Sequence, residues 1–145
     1  MPILNLTLTP DGAIIDILVG VSVPRRQALI AAGATVPRPI AIRALVDSGA
    51  SCTSIDVSAI QPLGLPPIGT VPVNTSTTGK SPVSCFVYDV SLVIVHPARG
   101  KSFSTIPVLE CQALSGNFQA LLGRDLLEHC SFFYNGLERT FSLAF

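Results

Sequence analysis

The chain has 145 residues, of which 48% are hydrophobic and only 12% charged, and its formal net charge at pH 7 is +0. This length predicts one domain over residues 1–145, which would bury roughly 70% of its unfolded surface in a single core. The balanced charge argues against a nucleic-acid or anionic-membrane partner, because either would select a basic surface. The shortage of charge predicts instead an assembly that hides part of an apolar surface.

The first 39 residues predict a hairpin followed by a loop. Apolar residues alternate from Leu4 to Leu8 and again towards Val23, on either side of a Pro-Asp-Gly turn at 10–12, which is a hairpin pattern. Prolines stand at both ends of 24–39. We therefore expect a long loop there, with room for one helical turn.

Residues 40–50 place a carboxylate at the edge of the predicted core. Residues 40–46 alternate in polarity and predict a strand that is at least half buried. Asp47-Ser48-Gly49-Ala50 follows directly. An ionised carboxylate at this place loses solvation unless nearby donors or a shared proton compensate. Taken alone, the pattern fits equally well a strand-end Asp that caps its own backbone.

The remaining residues predict short strands, two brief helices and two hairpins. We expect a strand at 53–55 and a helix over 57–60 that Asp56 caps. A hairpin follows, with arms at 70–75 and 83–95 and a polar tip between them. Further strands are predicted at 103–109 and 119–122, a helix at 124–129, and a closing hairpin at 131–134 and 140–143. We expect Phe132 and Tyr134 to lie in the core.

Two stretches of the chain look like a weak internal repeat. Residues 120–127 repeat the sequence of an apolar strand, a glycine and a helix-like run. With Asp47-Ser48-Gly49-Ala50 and Leu121-Leu122-Gly123-Arg124-Asp125, the chain resembles the retropepsin-like aspartic peptidases. The resemblance implies a mostly β fold, a closed retropepsin-like barrel with one or two short helices.

The resemblance also implies a set of site residues. Asp47 would be catalytic, Ser48 would brace the loops across a dimer axis, and Gly49 would offer its backbone to the substrate. Ala50 and Leu122 would pack around the acid pair, with Gly123 at the repeated position and Arg124 tying the short helix to the core. The substrate-binding hairpin tip, the flap of this family, would be Thr75, Ser76, Thr77, Thr78, Gly79 and Lys80.

A single Asp-Ser-Gly motif implies that the active unit has two chains. Hydrolysis of an amide by carboxylates needs one acid and one base, and Gly123 stands where a second catalytic Asp would be. We expect a homodimeric aspartic endopeptidase that cleaves an extended peptide or protein, with residues 1–9 and 139–145 at the dimer contact. The alternative is a non-catalytic module of the same fold that serves in dimerisation or peptide binding.

Other features of the sequence point to weaker alternatives. Ser51 stands where retroviral members commonly have an acid, so the ion pair of Arg124 is absent or uses Asp125 or Glu128. Cys52 as a nucleophile lacks a nearby His, and no set of Cys and His has metal-ligand spacing, so no metal or cofactor is expected. Four cysteines without a CxxC pair, and an N-terminus without a leader pattern, favour a reducing cytoplasm.

Overall fold

The computed structural model describes residues 1–74, 81–111, 114 and 117–145, and this part of the chain is mostly β. The strands are β1 (Ile3–Thr7), β2 (Ile14–Val21), β3 (Ile40–Val46), β4 (Ser54–Asp56), β5 (Gly69–Val73), β6 (Val83–Ile94), β7 (Lys101–Cys111), β8 (Ala120–Leu122), β9 (Ser131–Asn135) and β10 (Thr140–Ala144). The helices are α1 (Val23–Ala31), α2 (Val57–Ile60) and α3 (Arg124–Leu127), and a 3₁₀ turn follows α2. None of the described helices is long and apolar enough to cross a membrane.

Six strands close into a barrel. Their order is β2-β3-β8-β4-β7-β6, and the barrel closes because β2 pairs with β6 as well as with β3. The interior is filled by branched apolar side chains, among them Ile15, Ile17, Ile55, Leu92 and Ile94, all at most 1% exposed. The predicted mostly β, closed retropepsin-like barrel is therefore confirmed.

The two ends of the chain form a separate small sheet. Its order is β1-β10-β9, so β10 is the central strand and is hydrogen-bonded on both edges within the chain. Phe141 and Leu143 of β10 are buried and belong to the same hydrophobic core as the barrel. The closing hairpin predicted from the sequence is thus present as β9 and β10.

The predicted hairpin at the start of the chain is wrong, although both of its strands exist. β1 pairs with β10, whereas both edges of β2 are taken by β3 and β6 inside the barrel. Gly12 makes the change of direction possible, because its φ of +122° suits a residue without a side chain. The turn therefore leads from one sheet into another.

The predicted loop at 24–39 is wrong in its first part, which is the nine-residue helix α1. The Ser22 hydroxyl caps this helix by accepting a hydrogen bond from the Arg25 N–H at 3.4 Å. Pro24 stands in the first turn, where its missing N–H has no helical partner to lose. The proline therefore starts a helix here.

The cap predicted for α2 is present, since Asp56 Oδ1 accepts a hydrogen bond from the Ser58 N–H at 2.9 Å.

Candidate active site

The two stretches of the internal repeat lie side by side. β3 and β8 are parallel neighbours, with Val46 opposite Leu122. The Asp47 N–H extends this ladder by donating to the Leu122 carbonyl at 3.0 Å. Parallel pairing brings the carboxyl ends of both strands to one edge, so Asp47 and Gly123 leave the sheet at the same place.

The Asp47 carboxylate is half-buried and is oriented by its own loop. Oδ1 accepts a hydrogen bond from the Gly49 N–H at 2.9 Å, and the Asp47 carbonyl accepts from the Ala50 N–H at 3.2 Å. The loop thus turns tightly around the acid, and Ser48 and Gly49 are exposed. The carboxylate has an amide donor on one oxygen and access to solvent.

The Asp47 loop, residues 47–53, crosses directly over Gly123. A Cβ at this position would lie 2.6 Å from the Cys52 carbonyl oxygen and 2.9 Å from the Thr53 nitrogen, and would collide with the Cys52 carbonyl carbon. Just beyond the crossing, the Arg124 N–H donates to the Ala50 carbonyl at 2.8 Å. Glycine is required here by the close approach of two backbones.

A buried threonine joins the crossing loops, and the sequence analysis missed it. Thr53 is 0% exposed, and its hydroxyl donates to Asp125 Oδ1 at 2.8 Å while accepting from the Gly123 N–H at 3.1 Å. Its own N–H donates to Asp125 Oδ2 at 3.0 Å. Both carboxylate oxygens of Asp125 therefore accept hydrogen bonds from one residue of the Asp47 loop. A polar residue between Cys52 and the β4 strand was the available signal.

Arg124 contacts the Asp47 loop through a hydrogen bond. Its Nη1 donates to the Ser48 carbonyl at 3.0 Å. Within the described ranges the only close contact between ionisable side chains of opposite type is that of the Glu128 carboxylate with the His129 ring, so neither Asp125 nor Glu128 forms an ion pair with Arg124. The arginine still links α3 to the loop, through a main-chain oxygen.

A cavity of about 420 Å³ opens beside Asp47. It lies between the Asp47 loop, the turn after β1 and strand β9 of the terminal sheet. Tyr134 borders it and is 56% exposed, so the expectation that Tyr134 is a core residue is wrong. The other lining residues are Asp11, Gly12, Ala13, Leu45, Val46, Ser48 and Phe132.

The remaining predicted residues are placed as follows. Leu122 is fully buried below the loop, Ala50 is half-buried and Arg124 is exposed. The predicted flap tip, Thr75 to Lys80, lies outside the described residues. Its two arms are β5 and β6, which pair antiparallel from Gly69 opposite Val87 to Val73 opposite Val83.

Both histidines of the chain, His96 and His129, make contacts with residues other than Cys52. His96 Nδ1 accepts from the Ala98 N–H at 3.1 Å, and the His129 ring packs against Phe103 at 5.6 Å between centroids. The Cys52 thiol contacts the neighbouring Ser51 hydroxyl at 3.8 Å. These contacts give no support to a Cys–His pair.

A closed barrel with an Asp-Ser-Gly loop crossing a Gly-Arg-Asp segment defines a retropepsin-like aspartic protease fold. The profile of the family described as "Aspartyl protease" matches residues 33–126, and the chain belongs to this family. Its structure is similar to the crystal structure of a retropepsin-like aspartic protease from Rickettsia conorii. The TM-score is 0.59 at 19% identity, over 99% of this chain and 90% of that chain. No curated protein matches the chain.

Proposed function

We propose that this chain is an aspartic endopeptidase whose catalytic dyad consists of Asp47 and the same residue of a second copy. The observation that carries the proposal is the position of Asp47. Its half-buried carboxylate stands at the crossing of two related loops and opens onto a cavity. Membership of the aspartyl protease family supports a hydrolase.

The need for a second copy follows from the chemistry. One carboxylate must take a proton from water while another donates a hydrogen bond or a proton to the carbonyl oxygen of the scissile amide. Gly123 occupies the position in the second loop that corresponds to Asp47, and the close backbone contact there leaves no space for a side chain. A twofold axis beside Asp47 supplies the missing acid.

The dyad would titrate as a unit. Two carboxylates about 4 Å apart repel by roughly 4 kcal/mol at an effective dielectric of about 20, equivalent to about three pKa units. Aspartic proteases are the established example of such a shared proton, so this magnitude is a property of the class. The monoprotonated pair contains the base and the acid at once, and the rate should follow a bell-shaped pH profile.

The terminal sheet offers a contact for the second copy. Both edges of β10 are occupied within the chain, which leaves β1 and β9 as edge strands. Phe132 and Tyr134 of β9 border the cavity at Asp47, so an axis beside Asp47 passes closer to β9 than to β1. We therefore place the dimer contact at β9, with the 64% exposed Phe133 in the interface. This proposal replaces the expected contact at residues 1–9 and 139–145 with one at β9.

The substrate would be an extended peptide. Such a chain adds to the β structure through main-chain hydrogen bonds, and its alternate side chains enter pockets. Leu45 and Phe132 give the cavity beside Asp47 an apolar part, so hydrophobic side chains next to the cleaved bond should be favoured.

The decisive variant is Asp47→Asn, with Asp16→Asn as a matched control on an exposed position of β2. Both are tested on a mixed peptide pool between about pH 3 and pH 8, with masses measured by sedimentation. We expect Asp47→Asn to abolish cleavage at an unchanged mass and Asp16→Asn to cleave normally. Cleavage by Asp47→Asn contradicts the mechanism. Absence of cleavage by the unmutated chain favours the non-catalytic module.

A further inference from the structure

Two free cysteines lie across from each other on neighbouring strands. β6 and β7 are antiparallel, with Tyr88 opposite Val108 and Val87 opposite Leu109. Continued for two residues beyond its last pair, the same register places Cys85 opposite Cys111, and both carry free thiols. Opposite residues of an antiparallel pair point to the same face of the sheet.

The hydrogen-bond pattern gives this pair the register that suits a cross-strand disulfide. The Leu109 N–H donates to the Thr53 carbonyl at 3.0 Å, on the side of β7 that faces away from β6. The direction of the backbone N–H and C=O groups alternates along β7, so those of Cys111 also point away from β6. They point towards β4, in which Asp56 is the partner of Cys111. Non-hydrogen-bonded pairs have Cα atoms about 4.5 Å apart in a regular ladder, within the disulfide range of about 4.4–6.8 Å.

The sheet forks at these cysteines. The ladder between β6 and β7 ends at Val87 and Leu109. Beyond that point Cys85 pairs with Val71 of β5, while Cys111 pairs with Asp56. β6 and β7 still lie within side-chain reach of each other here, as a hydrogen bond from the Phe86 N–H to Glu110 Oε1 at 2.9 Å shows. A disulfide between Cys85 and Cys111 would join β6 to β7 just beyond the end of their ladder.

We propose that Cys85 and Cys111 are an oxidation site at which an intramolecular disulfide joins β6 to β7. With oxidised glutathione as the oxidant, the Cys85 thiolate attacks one glutathione sulfur, the glutathione disulfide breaks, and one glutathione thiolate leaves. The Cys111 sulfur then attacks Cys85 and releases the second glutathione. Two electrons and two protons pass from the cysteines to the two reduced glutathione molecules.

The environment of Cys111 sets the order of these steps. Burial, aided by the nearby charges of Asp56, Cys85 and Glu110, raises the pKa of Cys111 to about 11, against the opposing effect of a hydrogen bond with Ser54. Its thiolate is therefore scarce near neutral pH. Cys85 attacks first, and Cys111 completes the bond because the mixed disulfide holds its target beside it.

The test is oxidation of the folded full chain by excess oxidised glutathione, followed by alkylation and peptide mapping. We expect one linked peptide pair containing Cys85 and Cys111, with Cys52 and Cys130 alkylated or carrying glutathione and in no bridge within the protein. Cys52→Ser, the matched control, keeps the linked pair. Cys85→Ser and Cys111→Ser lose it.

Three results would overturn the proposal: separate glutathione adducts on Cys85 and Cys111, alkylation of both of these thiols, or a bridge from either of them to Cys52. A second readout is the urea midpoint of unfolding, because a bridge between distant residues restricts the unfolded chain. We expect oxidation to raise the midpoint and dithiothreitol to reverse the shift. Neither readout requires proteolytic activity, so this proposal and the proposed function fail independently.

Discussion

Gly123→Ala tests whether the crossing of two backbones holds the site together. The new methyl group would stand 2.6 Å from the Cys52 carbonyl oxygen and 2.9 Å from the Thr53 nitrogen. These neighbours are main-chain atoms, so no rotation of a side chain relieves the contact. The Asp47 loop must move away from β8, and this movement stretches the hydrogen bond from the Gly123 N–H to the Thr53 hydroxyl, now 3.1 Å long.

The expected cost follows from those two effects. Forcing an extra methyl group into a packed site costs about 1–3 kcal/mol, and a lost buried hydrogen bond adds about 1 kcal/mol. The free energy of unfolding should therefore fall by about 2–4 kcal/mol, a large share of the 5–15 kcal/mol that is typical of a domain. Gly69→Ala is the matched control, because its Cβ would meet nothing within 4 Å.

The assay is urea unfolding of both variants at one protein concentration, since self-association makes stability depend on concentration. The entropic effect of replacing a glycine in the unfolded chain is shared by both variants and cancels in the difference. We expect Gly69→Ala to stay within about 0.5 kcal/mol of the unmutated chain. A Gly123→Ala variant as stable as Gly69→Ala would refute the crossing.

Three further predictions concern a buried bond, an interface and a thiol. Thr53→Val removes the buried hydroxyl that donates to the half-buried Asp125 carboxylate, and should lower the free energy of unfolding by about 3 kcal/mol in urea. Phe133→Glu places a charge at the proposed dimer strand and should weaken self-association at least tenfold by sedimentation. Because burial raises the pKa of Cys111 to about 11, alkylation of that thiol in the reduced protein should accelerate with pH up to about 11.

Each of these predictions has a control or a contradicting result. Thr70→Val, on the exposed face of β5, should be nearly neutral, and equal losses for both threonine variants would contradict the role of Thr53. Ile30→Glu, at a side chain of α1 that is 59% exposed, is the control for Phe133→Glu and should leave the dimer intact. An unaltered dimer in Phe133→Glu would exclude β9 as the dimer contact. An alkylation rate for Cys111 that levels off below about pH 10 would contradict its burial.

The strands could be predicted where the pattern is local. The alternation over 40–46 and the Asn135-Gly136 turn between β9 and β10 depend on neighbours in the sequence. The motifs at Asp47 and Gly123 lie at the ends of such strands. Strand periodicity and turn residues therefore sufficed for most of the strands and for the position of the candidate acid, whereas the closed barrel was implied by the resemblance to the retropepsin-like family.

The rest depends on residues that are far apart in the chain. Nothing in the alternation of β1 reveals that its partner is β10, at the other end of the sequence, because strand pairing is decided by which edges remain free. The bond between Thr53 and Asp125 spans 72 positions. Pro24 is a local signal with two meanings, because proline is suited to a first helical turn as well as to a loop.

Subunit mixing tests the shared dyad most directly. Unmutated chain and Asp47→Asn chain are unfolded together in equal amounts, refolded, and assayed for peptide cleavage at a constant total concentration. If each active site needs an Asp47 from each of the two copies, only dimers of two unmutated chains are active. Random pairing then leaves about a quarter of the activity of the unmutated protein. Retention of about half would show that each chain works alone and would contradict the dyad.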